Sequence, residues 1–314
     1  MKKPILNLLF FMFSLFSVSQ NTASGMREVL SEYEYETRFV KLDSLEVSFI
    51  KEGSHSQTIL FVHGLSSNAD AWSKNIKVLS KQYSCVALDL PGFGKSSKVN
   101  TEHTPTFFAE VIHRFISELG LNQVVLVGHS MGGQAAMKLA LTYPEDVSKL
   151  VLIAPAGIEQ FSETESQLLT NAIRKDAVMQ TSDEQIAKNY ELNFYEMPGD
   201  VEKMIQDRKN IRACSDFSQH CEAISSSVRG MLSDPVFNSL SDIGQKTLVV
   251  FGEQDYLIPN KYLHPKMTTK EIAELAGDII PNAQTALVEK AGHFVQFEKP
   301  AEVNALLTKF IESF

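Results

Sequence analysis

The sequence predicts a doubly wound, mostly parallel α/β sheet with an inserted helical cap, and three observations predict it. Short, continuously apolar runs alternate with helical stretches, as expected of strands buried on both faces with helices packed on each side. One of those runs leads into Gly128-His129-Ser130-Met131-Gly132-Gly133 and then a helical stretch, so a serine stands at the tip of a sharp strand-to-helix turn. The alternation stops over residues 158–242, which carry helix formers, Phe, Tyr and Met but no strand pattern. That interruption is too long for a loop and reads as a lid of short helices.

The chain has 314 residues. Lys2 and Lys3 precede an almost wholly apolar stretch, residues 5–18, interrupted by Asn7, Ser14 and Ser17. Ser17-Val18-Ser19 and Thr22-Ala23-Ser24 are cleavage candidates, so residues 1–24 read as a secretory leader and the protein as secreted or periplasmic. The apolar run is shorter than the roughly 20 residues of a membrane helix, so no permanent span is expected after its removal. No cysteine precedes Cys85, which excludes a lipid on a processed N-terminal cysteine. The remainder suffices for one α/β domain with an insertion: residues 25–157 and 243–314 as the two parts of the core, 158–242 as the cap. The formal charge of −9 becomes more acidic without Lys2 and Lys3, and no basic cluster offsets it. Nucleic acid and anionic lipid are thereby excluded as partners, leaving small, neutral or apolar molecules.

The elements follow in order. Two alternating runs, residues 35–42 and 45–51, flank Asp43-Ser44 and read as an antiparallel hairpin at a sheet edge. Apolar strands follow at 58–62, 84–88, 124–127, 149–153, 247–251 and 284–288. Helices are expected at 71–80, 106–119, 134–142 and 300–314, with another at 270–276 capped by Thr269. Of the three cysteines, Cys85 falls in a strand and reads as a small buried hydrophobe. Cys214 and Cys221 would be about 10.5 Å apart along an unbroken helix, so a disulfide between them requires a break near residues 215–218. Bridge and free thiols both remain open.

A serine hydroxyl is a poor nucleophile at neutral pH and needs a base, itself oriented by an acid. The acid and then the histidine are expected downstream of the serine. The strand at 247–251 leads into Gly252-Glu253-Gln254-Asp255 and the last strand into Ala291-Gly292-His293-Phe294, placing Asp255 and His293 at the carboxyl edge of the sheet. Asp255 is preferred as the acid over Glu253 and over Glu159, which follows an earlier strand. The backbone N–H groups of Leu65, in His63-Gly64-Leu65, and of Met131 are the expected oxyanion donors. His63 is assigned to holding its loop, and His129 to packing under the serine turn. The Gly92-Phe93-Gly94-Lys95-Ser96 loop lacks phosphate-loop spacing, and Asp89 and Ser96 are expected to bond the backbone of that turn. The eight histidines show no metal-ligand spacing. Phe161, Phe194, Tyr195, Met197, Met204 and Phe217 make the cap apolar, which points to an uncharged or weakly polar acyl group.

On these motifs the chain resembles the α/β-hydrolase superfamily, in its single-domain form with a helical cap, over residues 35–314. The motifs are His63-Gly64, Asp89-Leu90-Pro91-Gly92-Phe93-Gly94-Lys95-Ser96, the Gly128–Gly133 turn, Gly252-Glu253-Gln254-Asp255 and Gly292-His293-Phe294. The resemblance implies Ser130 as nucleophile, His293 as base and Asp255 as acid, with no cofactor. Ala154-Pro155-Ala156-Gly157 and His129 look more like carboxylesterases and small lipases. Ser130 argues against epoxide hydrolases and haloalkane dehalogenases, which use aspartate. Carbon–carbon bond (meta-cleavage product) hydrolases often carry asparagine where His129 stands and need a basic pocket, which Arg208 or Arg212 would supply. Perhydrolases share the triad, and a non-catalytic ligand-binding use of the fold is an alternative of another class. One departure is the long connection after Asp255, residues 256–269, which is short in simpler members.

Overall fold

The computed structural model describes residues 23–313. All but the last two residues of the expected leader lie outside them. Eight strands form one sheet: β1 (Thr37–Leu42), β2 (Leu45–Glu52), β3 (Thr58–Val62), β4 (Ser84–Leu88), β5 (Val124–His129), β6 (Val147–Ile153), β7 (Lys246–Gly252) and β8 (Ala283–Val288), in the order β1-β2-β4-β3-β5-β6-β7-β8. The two pairings of β2 are antiparallel and all the others parallel. The edge hairpin and all six later strands fall where the sequence expects them, with ends shifted by a residue or two.

The central strands are mostly apolar because each of their faces meets a different core. Ile59 and Phe61 of β3 pack with Trp72, Ile76 and Phe310, on the side of helices Ser73–Leu79 and Pro300–Glu312. Leu60 and Val62 point the other way and pack with Phe108, Ile112 and Met137, from helices Pro105–Glu118 and Met131–Thr142. Each fully buried side chain of this kind contributes about 1.5–3 kcal/mol. Truncating Phe61 to Ala would cost about 3–5 kcal/mol, because rigid neighbours on both sides cannot close the void.

The topology brings the loops of interest together. The strand order reverses at β3, with β4 on one side and β5 on the other, and ligands of open α/β sheets gather outside the carboxyl ends at such a reversal. Val62 is in register with Gly128, so the loops after β3 and β5 leave the edge side by side. Gly252 is in register with Val288, which does the same for the loops after β7 and β8.

Between β6 and β7 the described residues form helices Glu163–Ala172, Lys175–Met179, Asp183–Glu191, Val201–Asn210 and Phe217–Ser233, with 3-10 turns at Ile211–Ala213 and Phe237–Asp242 and no strand. The first begins with a reciprocal cap: Ser162 Oγ accepts from Glu165 N–H while the Glu165 carboxylate accepts from Ser162 N–H. The helix expected at 270–276 spans Thr269–Ile279, and its cap is Thr268, one residue earlier than expected, in the same reciprocal arrangement with Glu271. Two short helices, Met26–Val29 and Val295–Glu298, have no counterpart in the sequence expectations. Among the described residues no helix is long and apolar enough to cross a membrane.

Candidate active site

β5 and the helix Met131–Thr142 meet at Ser130, whose backbone is at φ 53°, ψ −119°. A non-glycine residue in such a conformation is strained by about 1–3 kcal/mol and persists only where its surroundings enforce it. The glycines provide that enforcement by letting three backbones close on one another. A Cβ on Gly128 would lie 2.4 Å from the Gly132 carbonyl oxygen, and one on Gly132 2.5 Å from that of His63. Ser130 N–H donates to Ile153 O at 3.0 Å, and Ser130 O accepts from Gly133 N–H at 2.9 Å and Ala156 N–H at 3.0 Å. The half-buried Ser130 side chain lines a cavity beneath the inserted helices.

The carboxyl edge brings Asp255 and His293 into contact. Asp255 Oδ2 accepts from His293 Nδ1 at 2.8 Å, and both residues are buried. Asp255 Oδ1 accepts from the N–H groups of Leu257 at 2.7 Å and Ile258 at 3.0 Å, so the carboxylate is held at both oxygens. With its Nδ1 proton committed to Asp255, His293 keeps a lone pair on Nε2. His293 lines the same cavity as Ser130. No hydrogen bond joins Ser130 Oγ to His293 or to any other described residue, which leaves the hydroxyl open to the cavity.

Glu298 was not singled out from the sequence, yet it holds the His293 loop in place. Its carboxylate accepts from Gly292 N–H at 2.8 Å and, on the inserted residues, from Tyr195 N–H at 3.2 Å and Glu196 N–H at 2.7 Å. Phe294 N–H donates to Asn193 O at 2.9 Å, and a Cβ on Gly292 would lie 2.7 Å from that oxygen. The inserted helices are thereby bonded directly to the histidine loop. Nothing in a lone glutamate after a short loop signals this in sequence.

The competing carboxylates are engaged elsewhere. Glu159 accepts from Asn260 N–H at 2.8 Å and bonds His264 Nδ1 at 2.5 Å, while burial raises its pKa against the opposing pull of those two partners. Glu253 is exposed and accepts from the Gln254 amide. The long connection after Asp255 therefore reaches the base of the inserted helices through His264, whose ring also stacks on Phe161 at 5.4 Å.

The N–H groups of Leu65 and Met131 have no acceptor among the described residues, and Leu65 lines the cavity. Met131 opens its helix, so its N–H also carries the positive end of the helix dipole. His63 Nδ1–H donates to Gly64 O at 2.7 Å and Nε2 accepts from Leu90 N–H at 3.0 Å, which fixes a neutral ring that braces the β3 loop. Burial lowers the pKa of both His63 and His129, and His129 Nε2 contacts His293 O at 3.0 Å. Asp89 accepts from Ala69 N–H and Lys95 N–H, both at 2.7 Å, and Ser96 Oγ donates to Asp89 O at 2.7 Å, so both hold the turn as expected.

The cavity measures about 1010 Å³. Of the six apolar residues singled out in the insertion, only Phe161 and Met204 line it. Phe194 packs on Phe294 and Phe297, Phe217 packs among Met26 and Cys221, and Tyr195 and Met197 are exposed. The apolar wall comes instead from residues such as Ile211, Ile224, Val228 and Met231. Arg208 lines it without a carboxylate partner: it is 9% exposed, its Nη2 donates to Val178 O at 3.5 Å, its Nη1 has no partner, and its guanidinium lies 5.2 Å from the Phe217 ring centroid. Cys85, Cys214 and Cys221 are free, buried thiols. The described residues include no cluster of three or more His, Cys, Asp or Glu able to hold a metal ion.

Residues 57–300 match a family described as the alpha/beta hydrolase fold. The chain is 28% identical to a 2-hydroxy-6-oxononadienedioate/2-hydroxy-6-oxononatrienedioate hydrolase of Pseudomonas putida, covering 88% of this chain and 96% of that one. It is 28% identical to a human monoacylglycerol lipase, covering 85% of this chain and 78% of that one. Among solved structures, a probable hydrolytic enzyme from Pseudomonas aeruginosa superposes with a TM-score of 0.81 at 24% identity, covering 94% of this chain and all of that one.

Proposed function

This chain belongs to the alpha/beta hydrolase fold family, and within it we propose a serine hydrolase that cleaves carboxylic esters through an acyl-enzyme on Ser130. The observation that carries the reading is one cavity, walled mainly by apolar side chains, that holds both the strained Ser130 and a His293 whose Nδ1 is already committed to Asp255. His293 Nε2 takes the Ser130 proton as Oγ attacks the ester carbonyl. The oxygen that becomes negative points at the free N–H groups of Leu65 and Met131, each worth several kcal/mol in the transition state. His293 then returns the proton to the leaving alcohol, and water repeats the sequence to release the acid. No cofactor or metal takes part, so turnover survives EDTA. The substrate is small and neutral or apolar. The cap, residues 158–242, covers the site and selects the substrate without breaking bonds. Lys2, Lys3 and the apolar residues 5–18 support export, which N-terminal sequencing and fractionation test directly.

Ser130→Ala should abolish hydrolysis of short aryl esters, and a serine-directed phosphonate should label Ser130 in the wild-type protein alone. Wild-type turnover in Ser130→Ala would rule out the acyl-enzyme.

Arg208 favours a second reading. A buried guanidinium with an unpaired Nη1 on the cavity wall suits a substrate carboxylate, and the substrate in the name of the Pseudomonas putida relative is a dioate. In that reading the same serine cleaves a carbon–carbon bond of a carboxylated diketone. A panel of neutral esters and one meta-cleavage diketone separates the two. Arg208→Met should impair only the diketone if that is the substrate.

A further inference from the structure

We propose that the segment ahead of β1, residues 25–32, forms part of the substrate site, with Met26 and Leu30 setting how long a substrate chain the cavity admits. The inference rests on the ester-hydrolase reading above.

Met26 and Leu30 are 1% and 7% exposed, yet both line the cavity that holds Ser130 and His293. They reach it through a cluster with Ile211, Cys214, Phe217 and Cys221 of the inserted helices, on elements separate from those that carry the catalytic groups. A four-residue helix has no stability of its own, so the position of Met26–Val29 is dictated by what it touches. On the insertion side, Met26 N–H donates to Asp216 Oδ1 at 2.8 Å. Ser31 donates to Asp207 Oδ1 from both N–H, at 3.1 Å, and Oγ, at 2.6 Å, and Lys203 Nζ donates to Glu32 O at 2.7 Å. On the core side, Arg27 pairs with Glu46 at 2.5 Å and donates to Lys95 O at 3.2 Å, and Lys95 Nζ meets Glu32 at 3.3 Å.

The segment is therefore bonded to both bodies that enclose the cavity, with its two buried apolar side chains turned inward between them. An unbranched methionine and a leucine in that position present a deformable apolar stop to an alkyl chain. A segment that merely fastened the insertion to the core would need only the polar bonds. The placement of Met26 and Leu30 on the cavity wall adds a steric limit.

The test measures kcat/KM on two graded series, p-nitrophenyl esters from acetate to dodecanoate and acetates of alcohols of matching length. The protein is the mature wild type with Met26→Ala, Leu30→Ala and Met26→Trp. One methylene gained or lost in an apolar pocket changes kcat/KM by roughly tenfold or more. The two Ala variants should therefore raise the long-to-short ratio in one series by about that factor and move the optimum to longer chains. Met26→Trp should lower the ratio and move the optimum to shorter chains. Thermal unfolding of each variant separates a fold defect from a wall effect. Equal losses at every chain length, or an unmoved optimum in variants of both sizes, overturns the inference. A wild-type protein inactive on every ester overturns the ester reading instead.

Discussion

Asp255→Asn tests the assignment of the acid more sharply than any truncation, because its outcome follows from which oxygen does what. Oδ1 of Asp255 accepts two backbone N–H groups, from Leu257 and Ile258, while Oδ2 accepts only from His293. Asparagine has a single acceptor oxygen. Turning that oxygen to His293 would strand two N–H donors, the buried one of Ile258 at about 1–3 kcal/mol and the part-buried one of Leu257 at less. The amide oxygen therefore takes the Oδ1 position, and the –NH2 group faces His293 Nδ1. An –NH2 group donates and cannot accept, so Nδ1 must become the acceptor and the ring proton moves to Nε2. His293 then presents a proton where Ser130 needs a lone pair. The expected result is a fall in kcat of about 10³–10⁴, the scale of wrong-tautomer triads, which corresponds to roughly 4–5.5 kcal/mol. KM and the unfolding temperature should change little, since hydrogen bonds are kept in number. The assay is steady-state hydrolysis of a short aryl ester, with ¹⁵N-edited NMR of His293 reporting which nitrogen carries the proton. Glu159→Gln serves as the comparison, since Glu159 is bonded to His264 and Asn260, and its kcat should fall by less than about tenfold. A kcat for Asp255→Asn within tenfold of wild type, or the large loss appearing in Glu159→Gln, refutes the reasoning.

Three further outcomes are expected. Gly132→Ala places a Cβ 2.5 Å from His63 O and 2.6 Å from Val62 O, forcing the β3 loop that carries Leu65 away from the serine turn. Its kcat should fall by at least about 10²-fold, the usual loss for one oxyanion donor, and a wild-type rate would show that the contact is slack. Burial pushes the Cys85 thiol up to about 12 and Cys221 up to about 11, and raises Cys214 as well. Ellman's reagent at pH 8 should thus find no fast-reacting thiol in the native protein and three after denaturation; a count of one would mean that a bridge is present. Burial lowers His103 to about 4 and His220 to about 3, so both are neutral in the native state, whereas the unfolded chain takes up those protons below about 6.5. Stability is accordingly full above pH 6.5 and is lost as pH falls toward 4, by about 3 kcal/mol for His103. Urea unfolding of His103→Gln should show a shallower slope over that window, and a slope identical to wild type would remove His103 from the account.

The sheet was legible because its signal is local. Residues 59–62 and 85–88 are apolar without interruption, and the structure buries both faces of β3 and β4. The serine turn was legible because backbone approaches as close as those at Gly128 and Gly132 tolerate no Cβ, which leaves a pattern of glycines in the sequence. Asp255 and His293 were legible from their places after apolar runs, and the structure brings them to 2.8 Å. The cavity wall was not. Composition marked the insertion as apolar, but short helices do not reveal which of their faces meets a cavity, so Tyr195 and Met197 fell outside it while Ile211 and Ile224 passed unnoticed. Met26–Val29 spans barely one turn, too little for any periodicity, and its partner Asp216 lies far away in sequence.

What the sequence by itself determined is the class of fold and the identities of Ser130, Asp255 and His293 as the groups that converge at one sheet edge. Strand burial, tight turns and strand-end positions each act within a few residues. The tertiary structure alone decided what engages the competing Glu159, what Glu298 holds together, and which side chains, Met26, Leu30 and Arg208 among them, enclose the cavity. Those outcomes depend on packing between elements remote in the chain, where a side chain's role is set by the neighbours that desolvate it rather than by its flanking residues.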